Sequence, residues 1–121
     1  MVTGFHHASL LTVDLQRSLD FYQGVLGLEL DPNRPKLDYH GAWLQVSNQQ
    51  IHLLQLPNPD STINRPKHVG HDRHVALTVS NINELCVKLD EAGITYSSSR
   101  SGRPALFCRD PDGNGIEFIQ K

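Results

Sequence analysis

The chain has 121 residues, with 11 basic and 13 acidic side chains, and its formal net charge at pH 7 is −2. A domain of this length buries roughly two-thirds of the surface of its unfolded chain, so one cooperative core is expected. The near-neutral charge and the lack of a basic run argue against nucleic acid or a membrane surface as partner. No apolar stretch reaches the roughly 20 residues that span a bilayer, and the N-terminus has no signal-peptide pattern, which together predict a cytoplasmic protein.

The first half of the chain predicts a strand, a helix and three further strands. Residues 5–13 are rich in apolar and β-branched side chains, which is typical of a strand. Asp14 is a suitable helix N-cap, apolar residues follow at helical spacing, and Gly27 is a suitable end. The later strands are predicted at 28–30, 42–46 and 50–56.

The second half of the chain repeats this order of elements. A strand is predicted at 74–79, and a helix begins after Asn81 and ends at Gly93. His74 lies 67 positions after His7, whereas Gly93 lies 66 positions after Gly27. The later strands are predicted at 94–97, 105–109 and 115–120, with turn residues at 110–115.

Each half therefore reads βαβββ, and the predicted fold class is α+β. Module one is assigned to 1–56 and module two to 73–121, and the proline-containing stretch 57–72 is interpreted as a surface linker. Neither module is long enough to be stable alone, so the two are expected to share one sheet or one cleft.

Histidines stand at equivalent strand positions in the two modules. The last strands add a second equivalence, because residues 50–52 (QIH) align with residues 115–117 (GIE). If a pseudo-twofold axis relates the modules, three imidazoles and one carboxylate come together. This set of ligands suits Zn²⁺, Ni²⁺, Co²⁺, Mn²⁺ or Fe²⁺, and it leaves coordination positions of the ion open for substrate oxygens. Single strand histidines are more often ordinary hydrogen-bonded residues, so pairing alone leaves both interpretations open. The candidate ligands are His7, His52, His74 and Glu117.

The segments 15–27 (LQRSLDFYQGVLG) and 109–118 (RDPDGNGIEF), with His7 ahead of them, resemble the glyoxalase, bleomycin-resistance and extradiol-dioxygenase superfamily, also called vicinal oxygen chelate proteins. The resemblance covers essentially the whole chain. It implies two βαβββ modules around a cleft of curved mixed sheet, and a homodimer, as is usual for members of this length. It also implies a divalent metal ion on ligands from the first and last strands, which are His7, His74, His52 and Glu117 here.

The resemblance further implies a metal-dependent lyase or isomerase of the glyoxalase type. In such an enzyme a small metabolite chelates the ion through neighbouring oxygens, and Glu117 is the candidate base that moves a proton between adjacent carbons. His52 is a departure, because glyoxalase I commonly carries glutamate at that position. Whether glutathione or another thiol takes part is left open, as are the substrate and the metal.

Three other activities of the superfamily stay open. An extradiol-type dioxygenase would hold Fe²⁺ on two histidines and Glu117, with His52 as a nearby acid. A fosfomycin-resistance-like transferase is favoured by the loop 97–102 (SSSRSG), although that loop has no lysine and no arginine follows Glu117. A bleomycin-resistance-like binding protein would line an apolar cleft with Trp43 and Tyr39, which equally suit a core.

The other histidines are not assigned as ligands. His6 is expected on the opposite strand face from His7, and His40 falls in a polar loop. Residues 68–74 spell HxxHxxH, but a proline and a glycine make a helix implausible there, so His71 is only a secondary candidate.

Two cysteines and three arginines complete the set of candidates. Cys86 and Cys108 fall on a predicted helix and a predicted strand, and both are expected to be reduced and structural. Basic side chains near the second module are interpreted as solvated loop charges, or alternatively as contacts for the carboxylates of a substrate. These are Arg100, Arg103 and Arg109.

Overall fold

Each half of the chain folds as a βαβββ unit with its own four-stranded mixed sheet, which confirms the predicted α+β class. The computed structural model describes all residues, with unit 1 comprising Met1–Asp60 and unit 2 comprising Ser61–Lys121. Unit 1 contains β1 (His7–Thr12), α1 (Leu15–Leu19, continued by a π-helical turn at Asp20–Val25), β2 (Glu29–Leu30), β3 (Gly41–Val46) and β4 (Gln49–Gln55). Unit 2 contains a 3₁₀ turn (Val69–His71), β5 (His74–Val79), α2 (Ile82–Glu91), β6 (Tyr96–Ser98), β7 (Ala105–Arg109) and β8 (Gly115–Gln120).

The two sheets have the same strand order and the same register. The order is β1-β4-β3-β2 in unit 1 and β5-β8-β7-β6 in unit 2, and the first and last strands of each unit pair in parallel. His7 lies opposite Gln50, and His74 lies opposite Gly115. The alignment of the last strands inferred from the sequence is therefore present in the hydrogen-bonded register.

Each sheet has a core face and an opposite face, because side chains alternate across a strand. Thr12 and Leu53 lie on the core face of unit 1, and each is only 1% exposed. The opposite face is called the site face below; it bears His7 and His52 in unit 1 and the corresponding residues of unit 2. The largest buried apolar side chains of the two cores are Tyr22, Leu44, Leu53, Leu89, Leu106, Ile116 and Phe118.

The π-helical turn accounts for the change in offset between the repeated histidines and the repeated glycines. The segment between N-cap and terminal glycine is one residue longer in the first half, and there the amide of Leu26 donates to the carbonyl of Phe21, five residues back. A π-helical turn absorbs one extra residue without moving the ends of the helix. The prediction of a regular helix as far as Gly27 is therefore wrong from Asp20 onward.

An ion-pair cluster in unit 2 occupies the end of the predicted linker. Arg65 donates two hydrogen bonds to Asp72, at 2.7 and 2.9 Å, and Arg109 donates a third at 2.8 Å. Arg109 also donates to the carbonyls of Gly113 and Pro66. The expectation that Arg109 is a solvated or substrate-binding charge is therefore wrong, because its guanidinium is already engaged within unit 2.

Replacement of Asp72 by asparagine should lower the free energy of unfolding by about 3 kcal/mol at pH 7, since it removes the carboxylate that pairs with two partly buried guanidinium groups. Arg65 holds the pKa of the Asp72 carboxyl well below its usual range. The folded-state pKa is depressed, so this stabilisation is present above pH 4 and declines as the pH falls further. Urea unfolding at several pH values measures the effect, with exposed Asp38→Asn as the control. Equal stabilities of the two variants would contradict the assignment.

The thiols are unpaired, as the sequence predicts. Cys86 is half-buried and Cys108 is buried, and burial raises the pKa of the Cys108 thiol to about 12. Cys108 is therefore a packing residue rather than a nucleophile. None of the helices combines the length and the apolar character that crossing a membrane requires.

Candidate metal centre

Three aromatic rings are stacked with nearly parallel planes on the site face of unit 1. The ring centroids of His7 and His52 are 3.9 Å apart with an interplanar angle of 15°, and those of His52 and Trp43 are 4.3 Å apart with an angle of 6°. The rings come from β1, β4 and β3, whose register sets Trp43 directly opposite His52. The structure thus brings the two predicted ligands of unit 1 together, and the Trp43 ring packs against His52.

A chain of amide hydrogen bonds fixes which nitrogen of His52 is free. Gln45 donates to two backbone carbonyls, so its side-chain oxygen accepts from Gln50 Nε2 at 3.0 Å. Gln50 Nε2 also donates to Asp31 at 2.8 Å, which leaves the Gln50 oxygen to accept from His52 Nε2 at 2.8 Å. Because His52 Nε2 carries the proton, its Nδ1 has a free lone pair.

The environment of His52 disfavours its protonated form. Burial, together with the nearby charges of His7, His6 and Arg34, lowers the pKa of this histidine to about 4, and Asp31 acts in the opposite direction. His52 is 7% exposed. It is therefore a neutral imidazole at physiological pH, which is the form that binds metal ions.

The metal-free protein should lose stability as the pH falls from about 6.5 to about 4. In that range the unfolded chain protonates His52 and the folded chain does not, so the unfolded state binds more protons and acid favours it. The loss is on the order of 2 kcal/mol. Thermal unfolding of chelator-treated protein across this range measures it, and His52→Gln should flatten the profile. A profile with the same slope in both proteins would assign the acid sensitivity to another group.

The equivalent position in unit 2 combines an imidazole with a carboxylate. His74 Nδ1 lies 2.8 Å from the backbone carbonyl of Asp72, and since a carbonyl only accepts, Nδ1 carries the proton and Nε2 has the free lone pair. Glu117, two residues past the strand partner of His74, is 8% exposed, and Arg103 lies 3.6 Å from one of its oxygens. Phe107 lies opposite Glu117 in the register, as Trp43 does for His52.

Each unit thus supplies two of the four predicted ligands. The rings of His7 and His52 are in contact, whereas His74 and Glu117 lie on the adjacent strands β5 and β8 at the same diagonal spacing. No three His, Cys, Asp or Glu side chains of the chain are grouped closely enough to hold a metal ion.

The remaining histidines are not among the predicted ligands, and one of them, His6, differs from its predicted orientation. His6 precedes β1, so strand alternation does not apply to it, and its Nδ1 lies 2.8 Å from that of His7. The expectation that His6 faces away from His7 is therefore wrong. His68 caps a single 3₁₀ turn and His71 is its last residue, and their ring centroids are 5.0 Å apart. His40 is exposed in a loop.

The family of the chain is decided by comparison with known proteins. The model of the Glyoxalase/Bleomycin resistance protein/Dioxygenase superfamily matches residues 4–118. The chain belongs to this superfamily. The resemblance inferred from the FYxxVLG and DPDGNxxE motifs is thereby confirmed.

Relatives within the superfamily carry several activities in their names. The chain is 33% identical over 123 residues to "Glyoxylase I 4" of Arabidopsis thaliana, covering 97% of this chain and 70% of that protein. It is 30% identical over 130 residues to the lactoylglutathione lyase of Escherichia coli O157:H7, covering 95% of this chain and 90% of the enzyme. A catechol-2,3-dioxygenase of Bacillus subtilis is 31% identical, but the chain spans only 41% of its length.

Solved structures of the superfamily share the fold. A glyoxalase family protein from Bacillus anthracis has a TM-score of 0.79 and 27% identity, with 100% of this chain and 97% of that chain covered. A fosfomycin resistance protein variant from Listeria monocytogenes, solved with Mn(II) and a dihydroxypropylphosphonic acid, has a TM-score of 0.80. It is 16% identical and covers 99% of this chain and 93% of that chain, so it shows likeness of fold alone.

The donor set of this superfamily member fits a divalent ion by its chemistry. His52 and His74 each have one ring nitrogen engaged as a donor and the other free, as is usual for histidine ligands. Sequence reasoning missed the residues that arrange this, namely Asp31 and Gln50. The alternation of β4 places Gln50 on the face of His52 and offered a signal, but nothing in the sequence locates Asp31 beside it.

Proposed function

We propose that the protein is a metal-dependent lyase or isomerase of the glyoxalase type, which acts on a small metabolite with neighbouring oxygens. The observation that carries the proposal is the pair of equivalent half-sites, each with two ligand-type side chains at the same register positions. The proposed metal ligands are His7, His52, His74 and Glu117.

His52 and His74 each offer one free ring nitrogen, because the other nitrogen is engaged as a donor. The Asp31–Gln50–His52 chain orients one ring, and the carbonyl of Asp72 orients that of His74. A divalent ion bound there would polarise the substrate oxygens and so acidify the neighbouring C–H bond. Preset tautomers reduce the reorganisation that binding such an ion requires.

Glu117 is the proposed base. Its carboxylate is buried on the site face, where it can take a proton from one carbon of the substrate and return it to the next. His52 cannot replace it as a second carboxylate, so one group performs both transfers. Trp43 lies beside His52 in unit 1 and Phe107 lies opposite Glu117 in unit 2, and apolar rings at such positions would shield reacting carbons from water.

We further propose that the protein acts as a homodimer in the cytoplasm. Four ligands divided equally between two units of similar build suit a paired arrangement, in which each site takes one half from each of two units. The unpaired thiols of Cys86 and Cys108 agree with a reducing compartment.

Metal content tests the proposal first. Tag-free protein is reloaded with Mn²⁺, Fe²⁺, Co²⁺, Ni²⁺ or Zn²⁺ and measured by elemental analysis, and about one ion per chain is expected for the preferred metal. His74→Ala should lose nearly all of it, whereas exposed His40→Ala should lose none. Loaded protein is then assayed with 2-oxoaldehyde hemithioacetals, catechols and epoxides. If the protein binds none of these ions, a ligand-binding protein becomes the better interpretation.

A further inference from the structure

Arg34 lies in the loop between β2 and β3 of unit 1. A Cβ atom at Gly41 would clash with the backbone oxygen of Leu53 and would stand 2.9 Å from Nη2 of Arg34, so the guanidinium lies directly against this strand position. Gly41 and Trp43 share a face because they are two residues apart on β3. The guanidinium therefore lies beside β3, two residues along the strand from Trp43 of the ring stack.

The guanidinium of Arg34 has unused hydrogen-bonding capacity. Its Nη2 donates to the carbonyl of Tyr39 at 3.0 Å, and the group lies over the Tyr39 ring at 5.4 Å. No carboxylate pairs with it, and its Nε is buried without a partner. Of the five N–H donors of an arginine, only one is therefore engaged. By contrast, Arg65 and Arg109 are both paired with Asp72.

A half-buried cation without a counter-ion is costly, and an anion would offset that cost. The planar fork of arginine matches a carboxylate through two parallel hydrogen bonds. Strands rise about 3.3 Å per residue, so Gly41 lies roughly 7 Å along β3 from Trp43, the residue opposite His52. An anion on Arg34 is thus a few bonds away from the oxygens that a metal at His52 would hold.

We propose that Arg34 binds a carboxylate of the substrate, so that the enzyme selects metabolites whose carboxylate is separated by a few bonds from the chelating oxygens. This inference rests on the proposed metal-dependent function. Arg34 would then set specificity through direct contact with the substrate, and Tyr39 would hold the guanidinium in position. A neutral substrate with the same chelating oxygens would bind more weakly.

Two hydroxamates of matched length test the proposal. Hydroxamates chelate through neighbouring oxygens; succinic acid monohydroxamate bears a terminal carboxylate, and butyrohydroxamic acid bears a methyl group there. Each is titrated calorimetrically into Co²⁺-loaded protein. The wild type should bind the carboxylate compound about tenfold more tightly or better, because the added hydrogen bonds are charge-assisted. Arg34→Gln should remove this preference and leave the affinity for butyrohydroxamic acid unchanged.

Two further variants separate recognition from structure. Arg17→Gln removes an exposed arginine of α1 and should keep the full preference. Arg34→Lys keeps the charge without the fork and should keep only part of it. A preference that persists in Arg34→Gln would overturn the inference, as would loss of Co²⁺ or of folding in both Arg34 variants. If the wild type binds neither hydroxamate, the proposed function itself fails and the inference falls with it.

Discussion

Glu117→Gln should fold normally and turn over its substrate at least ~10³-fold more slowly than the wild type at saturating metal. The substitution changes one oxygen to an amide nitrogen in a side chain that is 8% exposed, so the volume and the packing of β8 are kept. The three histidines proposed as ligands remain, but the group proposed to take and return the proton is gone. The hydrogen bond that an amide offers does not replace a base.

Solvent exchange separates the role of base from that of ligand. In deuterated buffer the wild type should incorporate deuterium at the carbon that loses its proton, and Glu117→Gln should incorporate none even when elemental analysis shows that metal is bound. Glu91→Gln, at the exposed end of α2, is the matched control and should behave as wild type. Full turnover by metal-loaded Glu117→Gln would assign the base to another side chain.

The fold was predictable because its signals are local and occur twice. Asp14 and Asn81 cap their helices as the sequence indicates, because their side-chain oxygens accept hydrogen bonds from the free backbone amides of the first turn. Even the joins repeat: the Leu15 amide donates to the side chain of Gln55, and the Ile82 amide donates to that of Gln120, each at 2.8 Å.

The missed features of the site depend on contacts between residues distant in sequence. Strand alternation predicts that Trp43 and Gln50 share the face of His52, but it does not predict that a loop carries Asp31 to Gln50. The position of Arg34 against Gly41 has the same origin. Loop conformation follows from tertiary packing, so short-range patterns do not encode it.

The π-helical turn marks another limit of sequence reasoning. The offsets of the histidine and glycine pairs differ by one residue, but periodicity treats the whole helical segment as regular and predicts no π-helical turn. An insertion in a helix can appear as a longer helix, a bulge or a looser end, and all three preserve the apolar stripe. In the observed π-helical turn, Phe21 and Tyr22 are buried in the core of unit 1.

Mixing two inactive variants should restore metal binding if each site of a homodimer combines unit 1 of one chain with unit 2 of the other. His52→Ala damages the half-site of unit 1, and His74→Ala damages that of unit 2, so each variant alone should bind little metal. After joint refolding, half of the dimers contain one chain of each kind. One of the two sites in such a dimer is intact, so about a quarter of the wild-type metal content should return.

A second mixture gives the control for this experiment. His7→Ala and His52→Ala both damage unit 1, so every site in their mixed dimers lacks one ligand and no metal should return. Native mass spectrometry verifies that mixed dimers have formed in both samples. Mixed dimers of His52→Ala and His74→Ala that bind no metal would mean that each chain completes its own site. Recovery in the first mixture but not in the second requires the two half-sites to come from different chains, because no damaged chain holds four ligands.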